Sequence, residues 1–187
     1  NRWLARGPRY RLDAEVLRDV MLRSSGLLSP RLGGASVYPP QPASVVALAY
    51  GGNNWKVSTG ADRYRRSLYT FNKRTSPFAA YTTFDAPTGE NCIVRRNRSN
   101  TPLQALTLLN DEMFLEMARA LANRVVKARV ESPEARAQLL FRYLLTRPAR
   151  QEELATVLVF REKQLERLQN GELKAEQITG EKEPDAE

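Results

Sequence analysis

The sequence predicts a mainly α-helical chain, with a C-terminal bundle of about three helices preceded by one helix and by long irregular, partly extended loop regions. Three observations predict this class. Thr101 and Ser132 are each followed by proline and by apolar residues at helical spacing. Residues 151–168 carry apolar side chains on one side and glutamates mostly on the other, and glycine and proline interrupt residues 27–60.

The first helix is predicted from Asp13 to about Ser24. Asp13 is suited to cap its first turn, and Gly26 stands where a left-handed C-terminal residue is needed. The side predicted to face the core carries Val16, Leu17, Val20 and Met21. Irregular backbone is predicted from there to residue 60, and extended backbone is expected at 63–74, where neither apolar period dominates.

Residues 100–104 carry the strongest local signal in the chain. Thr101 is a natural N-cap, Pro102 suits the first helical position, and Gln104 stands where it completes a capping box. The apolar positions that follow predict one long helix reaching residues 126–129: Leu103, Leu106, Phe114, Met117, Leu121 and Val125. Asn110 lies within this stripe and is either a functional polar group or, as we expect, a buried amide that is hydrogen-bonded to a neighbouring loop.

Two further helices are predicted, from Ser132 to about Leu145 and from Gln151 to Leu168. Beyond them apolar residues become rare and acidic residues frequent, which predicts an acidic flexible tail over 171–187. Residues 1–170 are therefore expected to form a single domain. It would comprise a basic helix-plus-loop half, 1–100, and a helical bundle half, 101–170.

Composition excludes several kinds of site. The chain has 187 residues, of which 42% are hydrophobic, and this is enough for one ordinary domain with its own core. No run reaches the roughly 20 apolar residues of a membrane span. The chain contains no histidine and a single cysteine, Cys92, which excludes imidazole metal ligation, a histidine-based catalytic dyad, covalent haem attachment and an intramolecular disulfide. We therefore expect no metal site and no cofactor in this chain.

The net charge of +8 is unevenly distributed. Residues 1–60 and 61–100 each carry 8 basic and 3 acidic groups, whereas residues 101–187 carry 13 basic and 15 acidic groups. One interpretation is an anion-binding or partner-binding groove lined by Arg63, Arg65, Arg66, Arg95, Arg96 and Arg98. The alternative is that several of these arginines tie the loops to backbone carbonyls and to acidic helices. Nucleic acid is not an expected partner.

Asp85 and Glu90 are the candidate catalytic residues, because two carboxylates around a proline-glycine loop could form an acid-base pair or a hard-cation site. The alternative is structural: an Asx turn at Asp85, an ion pair from Glu90 to a nearby arginine, and a buried Cys92.

Four aromatic residues in the N-terminal loops, Trp3, Tyr38, Tyr50 and Trp55, suggest a sugar-stacking platform or, alternatively, anchors for those loops.

Several blocks together resemble a known family: residues 33–34, 37–42, 64–71, 83–87, 94–96, 100–106, 109–111 and 145–154. The most specific is Asn100-Thr101-Pro102-Leu103-Gln104-Ala105-Leu106. These blocks resemble the C-terminal domain of unknown function, family 1553, of planctomycete-type secreted proteins. The resemblance implies that the chain lies outside the cytoplasm, at the C-terminal end of a larger protein. The domains upstream of it would often include a planctomycete-type cytochrome c domain, which holds haem.

The leading functional hypothesis is an accessory module, not catalytic on its own, that packs against upstream domains of an exported, cytochrome-associated protein. One alternative is a fragment of an enzyme acting on extracellular polymer. The other is a module that binds a polyanion such as a sulfated glycan.

Overall fold

The computed structural model describes residues 11–47 and 55–179, and the backbone there is mainly helical, as the sequence predicts. The α-helices are α1 (Ala14–Ser25), α2 (Ala43–Ala47), α3 (Ala79–Thr83), α4 (Pro102–Asn110), α5 (Glu112–Lys127), α6 (Pro133–Leu145), α7 (Gln151–Gln169) and α8 (Ala175–Thr179). Two short 3₁₀ helices span Gly60–Tyr64 and Ser67–Tyr69. None of the described helices is both long and apolar enough to span a lipid bilayer.

The chain forms two compact units, Asn1–Ala118 and Arg119–Glu187. The first holds α1 to α4 and the first part of α5, and the second holds the remainder of α5 with α6 to α8. Within the second unit, α6 packs on α7, and the Arg124 guanidinium of α5 lies 3.9 Å from the centre of the Tyr143 ring of α6.

Helix α1 has the predicted ends, but of the four residues predicted to face the core only Leu17 and Met21 pack against it. Gly26 adopts a left-handed conformation with φ of 83°, whereas the Asp13 side chain forms no capping hydrogen bond. Val16 and Val20, expected to face the core, are exposed, and Arg18 is buried instead. This face of α1 is turned towards the neighbouring loop because the loop's backbone carbonyls need hydrogen-bond donors. The Arg18 guanidinium supplies them, and a valine side chain cannot.

An aromatic cluster forms much of the core of the first unit. Trp55 stacks on Phe78 with ring centres 5.7 Å apart, and Tyr38 meets Trp55 edge to face at 5.2 Å. The Trp55 indole N–H donates to the Pro39 carbonyl at 2.7 Å. Because Trp55 is only 7% exposed, it anchors the loops and does not offer a stacking face. Trp3 and Tyr50 lie outside the described residues.

The segment expected to be extended, residues 63–74, is built differently. It contains the end of the first 3₁₀ helix and all of the second. Its pairing consists of isolated bridges: Ser29 with Arg65, Val37 with Thr70 and Lys73 with Ser76. The amide of Val37 donates to the Tyr69 carbonyl at 2.7 Å. Local turns and scattered bridges thus satisfy its backbone groups.

The capping box predicted at Thr101 is present. The Gln104 amide donates to Thr101 Oγ1 at 3.4 Å, and the Thr101 amide donates to Gln104 Oε1 at 3.2 Å. The single long helix is wrong, because α4 ends at Asn110 and Asp111 is extended with ψ of 134°. Asp111 Oδ1 accepts from the Met113 amide at 2.9 Å, and this local bond favours a new helix start over a helix interior.

The break at Asp111 also changes the environment of Asn110. The Asn110 side chain is exposed, and its amide donates to the Leu106 carbonyl one turn earlier at 2.8 Å. The buried amide expected from the apolar stripe is therefore wrong. Of the six apolar positions assigned to one face, Leu103 and Leu106 are exposed, whereas the four in α5 are buried.

We expect Thr101→Ala to lower the free energy of unfolding by about 1 kcal/mol, because the Gln104 amide loses the Thr101 hydroxyl as an acceptor and keeps only the Thr101 carbonyl. Urea unfolding at neutral pH measures this. Thr101→Ser keeps the hydroxyl and should retain most of the stability. Equal losses for both variants would contradict a capping role.

The second unit follows the predicted helix boundaries closely. Ser132 Oγ accepts from the Ala135 amide at 3.1 Å at the start of α6. At the start of α7, Glu153 accepts from Arg147 at 2.7 Å and from the Arg150 amide at 2.8 Å, which lowers the pKa of the Glu153 carboxyl to about 2. Helix α8 lies within residues 171–187, the segment predicted to be a flexible tail. Residues 180–187 lie outside the described residues.

Candidate functional site

A groove of about 800 Å³ lies on the first unit. Its walls come from α1, the second 3₁₀ helix, the end of α3 and the irregular segment 86–97. Asp85, Arg66, Arg95 and Arg96 line it, so it contains four of the residues singled out by the sequence, whereas Glu90 is not among the lining residues.

Asp85 holds the end of α3 against the start of α4. Its carboxylate accepts from the Ser99 amide at 2.7 Å and from the Ser99 hydroxyl at 2.8 Å, and it pairs with the Arg11 guanidinium. Gln104 extends this network, since its amide nitrogen donates to Ser99 Oγ at 2.9 Å and to the Thr83 carbonyl at 3.0 Å. The Ser99 N–H bond, the Ser99 hydroxyl and Arg11 hold the pKa of the Asp85 carboxyl below its usual range, so this group remains ionised at neutral pH.

The structural interpretation of Glu90 and Cys92 is wrong in its details. The ion pairs of Arg96 run to Glu15 and Asp13, not to Glu90, and no ion pair joins Glu90 to Arg95 within the described chain. Glu90 and Cys92 are both exposed, so Cys92 does not pack as a small hydrophobic residue. The irregular segment therefore stands away from the core at these positions.

Arg96 crosses the groove to the first turn of α1. Its guanidinium forms two hydrogen bonds to the Glu15 carboxylate, at 2.6 and 3.1 Å, and lies 3.7 Å from Asp13. The Glu15 bonds raise the pKa of Arg96. Arg98 lies 3.9 Å from the other Asp13 oxygen. Two of the predicted anion-binding arginines thus engage carboxylates of the same chain.

Arg63 and Arg66 are also paired within the first unit. Arg63 contacts Glu116 at 2.9 Å and Glu112 at 3.2 Å, and both glutamates belong to α5. Arg66 meets Asp19 at 3.2 Å, and the same carboxylate accepts from the Ser67 amide at 2.6 Å. These bonds fix both 3₁₀ helices to the long helices beside them.

Arg65 is a buried brace for the glycine loop. It donates to the carbonyls of Ala35 at 3.0 Å, Arg31 at 3.4 Å and Gly33, and its guanidinium lies 3.7 Å from the centre of the Tyr69 ring. Gly34 has φ of 96°, and a Cβ there would come within 3.5 Å of the guanidinium. That distance is an ordinary van der Waals contact, so glycine is favoured here by the backbone: Gly33 and Gly34 have positive φ angles of 74° and 96°.

Arg18 was missed by sequence reasoning because it lies among the apolar positions of α1. It is 2% exposed, and its guanidinium donates to the Arg65 carbonyl at 2.7 Å, the Arg63 carbonyl at 3.2 Å and Met113 Sδ at 3.3 Å. Burial lowers the pKa of Arg18, but an arginine remains protonated at neutral pH. No sequence signal identified it.

Arg95 differs from the other five predicted arginines. It is exposed, and the described residues give it neither an ion pair nor a hydrogen bond. Together with Arg96, Asn97 and Arg98 it lines a recess of about 360 Å³, which shares three residues with the groove. No group of three or more metal-ligating side chains occurs in the part of the chain that the structure describes.

Comparison with known proteins gives one match. The profile of the family described as PSD1, protein of unknown function (DUF1553), matches residues 1–160. No curated protein and no solved structure matches the chain. The family match covers all of the groove and both capping signatures, and the chain belongs to this DUF1553 family.

Proposed function

We propose that this chain is a non-catalytic interaction module of an exported, cytochrome-associated multidomain protein, and that it packs through α4 against a neighbouring folded domain of the same polypeptide. The observation that carries the proposal is a row of exposed leucines on a helix without charge. This row, Leu103, Leu106 and Leu109, is called the leucine stripe below.

The leucine stripe is an unusual surface for a small domain. Its three side chains are between 56% and 69% exposed, and residues 102–110 include no charged side chain. Their spacing places them on one face of α4, opposite the buried Gln104 that holds the helix to the network at Asp85. Contiguous apolar patches on the order of a few hundred Å² mark interaction surfaces.

The size of the stripe favours a tethered partner. A stable complex of separate proteins buries roughly 800 Å² on each partner, which is more than one nine-residue helix presents. A domain in the same polypeptide benefits from a high effective concentration, so a smaller interface is sufficient. The partner surface is expected to be apolar and uncharged, because a charged group placed against the leucines would lose its hydration.

A non-catalytic role is supported by the state of the carboxylates in the groove. Asp13, Glu15, Asp19 and Asp85 each lie within ion-pair distance of an arginine. A general acid needs a raised pKa, whereas the bonds from Ser99 and Arg11 lower the pKa of the Asp85 carboxyl. Every described carboxylate of the groove is thus already engaged by an arginine, which does not favour the enzyme alternative. Binding of a long polyanion is weakened in the same way, because carboxylates or backbone carbonyls already engage five of the six predicted arginines.

Export and association with a cytochrome domain rest on the resemblance to planctomycete-type secreted proteins. Haem would then be held by an upstream domain, and this chain would contribute packing surface only.

We expect the leucine stripe to be protected in the natural polypeptide that contains this chain. In a Cys92→Ser background, Leu106→Cys should react with a maleimide at least about tenfold more slowly in that polypeptide than in the 187-residue chain, because a docked domain blocks access. The rates are measured by mass spectrometry under native conditions.

Val159→Cys in the same background is the matched control. Val159 is exposed on α7 at 55%, close to the 56% of Leu106, and lies in the other compact unit. Its rate should be the same in both proteins. Equal rates at Leu106→Cys in the two proteins would overturn the proposal.

A further inference from the structure

The groove on the first unit has an apolar wall that is separate from the leucine stripe of α4. Its aliphatic wall is formed by Val16, Leu68 and Ile93, which are exposed at 46%, 75% and 49%. The volume of about 800 Å³ falls within the range of roughly 300–1,000 Å³ that is typical of ligand sites. Tyr81 is the single aromatic residue among the described residues of the lining, so the wall suits aliphatic side chains better than sugar rings.

The segment that forms one side of the groove has free backbone groups. Among the described residues, none of residues 87–97 forms a backbone-to-backbone hydrogen bond, and the Glu90 amide donates only to Thr88 Oγ1. Ile93 and Val94 are exposed on this segment. An extended peptide can pair with such a segment through its own backbone while its alternate side chains enter a groove.

Electrostatics identify the remaining feature of the ligand. The other charged groups that line the groove are paired with one another or with Arg11 and Arg98: Glu15 with Arg96, Asp13 with Arg96 and Arg98, Asp19 with Arg66, and Asp85 with Arg11. Arg95 is the lining cation that has no carboxylate partner in the described chain. It lines both the groove and the recess of about 360 Å³ beside it. One uncompensated guanidinium matches one carboxylate, which it can bind by two parallel hydrogen bonds.

We infer that this groove binds an extended aliphatic peptide that carries a carboxylate. The peptide backbone pairs with residues 91–95, its aliphatic side chains contact Val16, Leu68 and Ile93, and its carboxylate binds Arg95. The site is separate from the leucine stripe and goes beyond the packing role proposed above.

The test is an NMR titration of the ¹⁵N-labelled 187-residue chain with a pool of N-acetylated tripeptides of valine, leucine and isoleucine that have free C-terminal carboxylates. The same pool as carboxamides and a sulfated heparin disaccharide serve as comparison probes. We expect saturable shifts confined to amides of residues 86–97, 67–70 and the first turns of α1. The carboxamides should bind about tenfold more weakly, because they lack the charge-assisted bond.

Arg95→Gln removes the charge at a position that has no partner among the described residues, so the fold should remain and the affinity for the carboxylate pool should fall about tenfold. Arg74→Gln is the matched control, since Arg74 is an exposed arginine outside the groove lining. It should bind as the unmodified chain does, and so should Leu106→Arg in the leucine stripe. Leu106→Arg changes the leucine stripe and not the groove, so the result of the peptide titration is independent of whether α4 packs against a neighbouring domain.

Three outcomes would overturn the inference. The first is that no tripeptide changes the chemical shifts of the groove amides at about 10 mM. The affinity would then be too weak for a specific site. The second is equal binding of carboxylates and carboxamides. The third is binding of the sulfated disaccharide alone, which would assign the recess to a sulfated glycan.

Discussion

Replacing Arg18 with alanine is expected to lower the free energy of unfolding by about 3–5 kcal/mol, one of the two largest effects predicted for this chain. The carbonyls of Arg63 and Arg65 would lose their donors while remaining covered by protein. The removed side chain would also leave a space beside Met113. Chemical denaturation at neutral pH, followed by circular dichroism, measures the change.

Two comparison variants separate the causes. Arg18→Met retains most of the volume but removes all donors, so it isolates the hydrogen bonds, with an expected cost of about 2–3 kcal/mol. Arg23→Ala, an exposed arginine on the same helix, should cost less than about 1 kcal/mol. Arg18→Met being as stable as the unmodified chain would show that the desolvation of the guanidinium outweighs its bonds, and the bracing role would be wrong.

Asp85→Asn is expected to lower the free energy of unfolding by about 2 kcal/mol at neutral pH, because the charged acceptor of Arg11 and Ser99 becomes a neutral amide. Asparagine is the suitable replacement. Asp85 has φ of 59°, and asparagine tolerates the left-handed region better than alanine does. The change therefore tests the charge with little added backbone strain.

The effect of Asp85→Asn should depend on pH in a defined direction. The folded-state pKa of Asp85 lies below the ordinary value of about 3.9 for an unfolded chain. The stabilisation is thus present above that value and is lost as the pH falls through the folded pKa. The difference between Asp85→Asn and the unmodified chain should shrink below about pH 4.

Glu90→Gln provides the control for the pH series. Glu90 is an exposed carboxylate five residues further along the chain, and its neutralisation should change stability by less than about 0.5 kcal/mol throughout. A difference between Asp85→Asn and the unmodified chain that stays constant down to about pH 2 would contradict the role given to the ionised carboxylate.

The mainly helical class and the starts of α4 and α6 follow from local chemistry. Thr101 and Ser132 place a hydroxyl within reach of amides two or three residues ahead, and proline fits the first turn. Such signals involve neighbours in sequence and do not depend on the rest of the fold. The capping box at Thr101 was therefore predictable residue by residue.

Other features required the tertiary structure. The apolar periodicity predicted that Val16 and Val20 face the core and assigned no role to Arg18. In the structure α1 is oriented so that Arg18 is buried and donates to the loop carbonyls. The bonds of Arg18 to residues 63 and 65 span more than 40 positions in sequence, and no local pattern encodes such a partner. The sequence was also compatible with two roles for Asp111. It could lie inside one long helix, or it could end α4 at Asn110 and cap the start of α5, and the structure shows the second.

The same division applies to the charges. The sequence by itself determined that residues 61–100 carry a surplus of basic groups, because that is a matter of counting. Only the tertiary structure decided which of them are engaged. It directs Arg63, Arg66 and Arg96 to carboxylates on α5 and α1 and leaves Arg95 exposed. The physical reason is that an ion pair depends on distances of a few ångströms between side chains, and those distances exist only after helices remote in sequence have packed together.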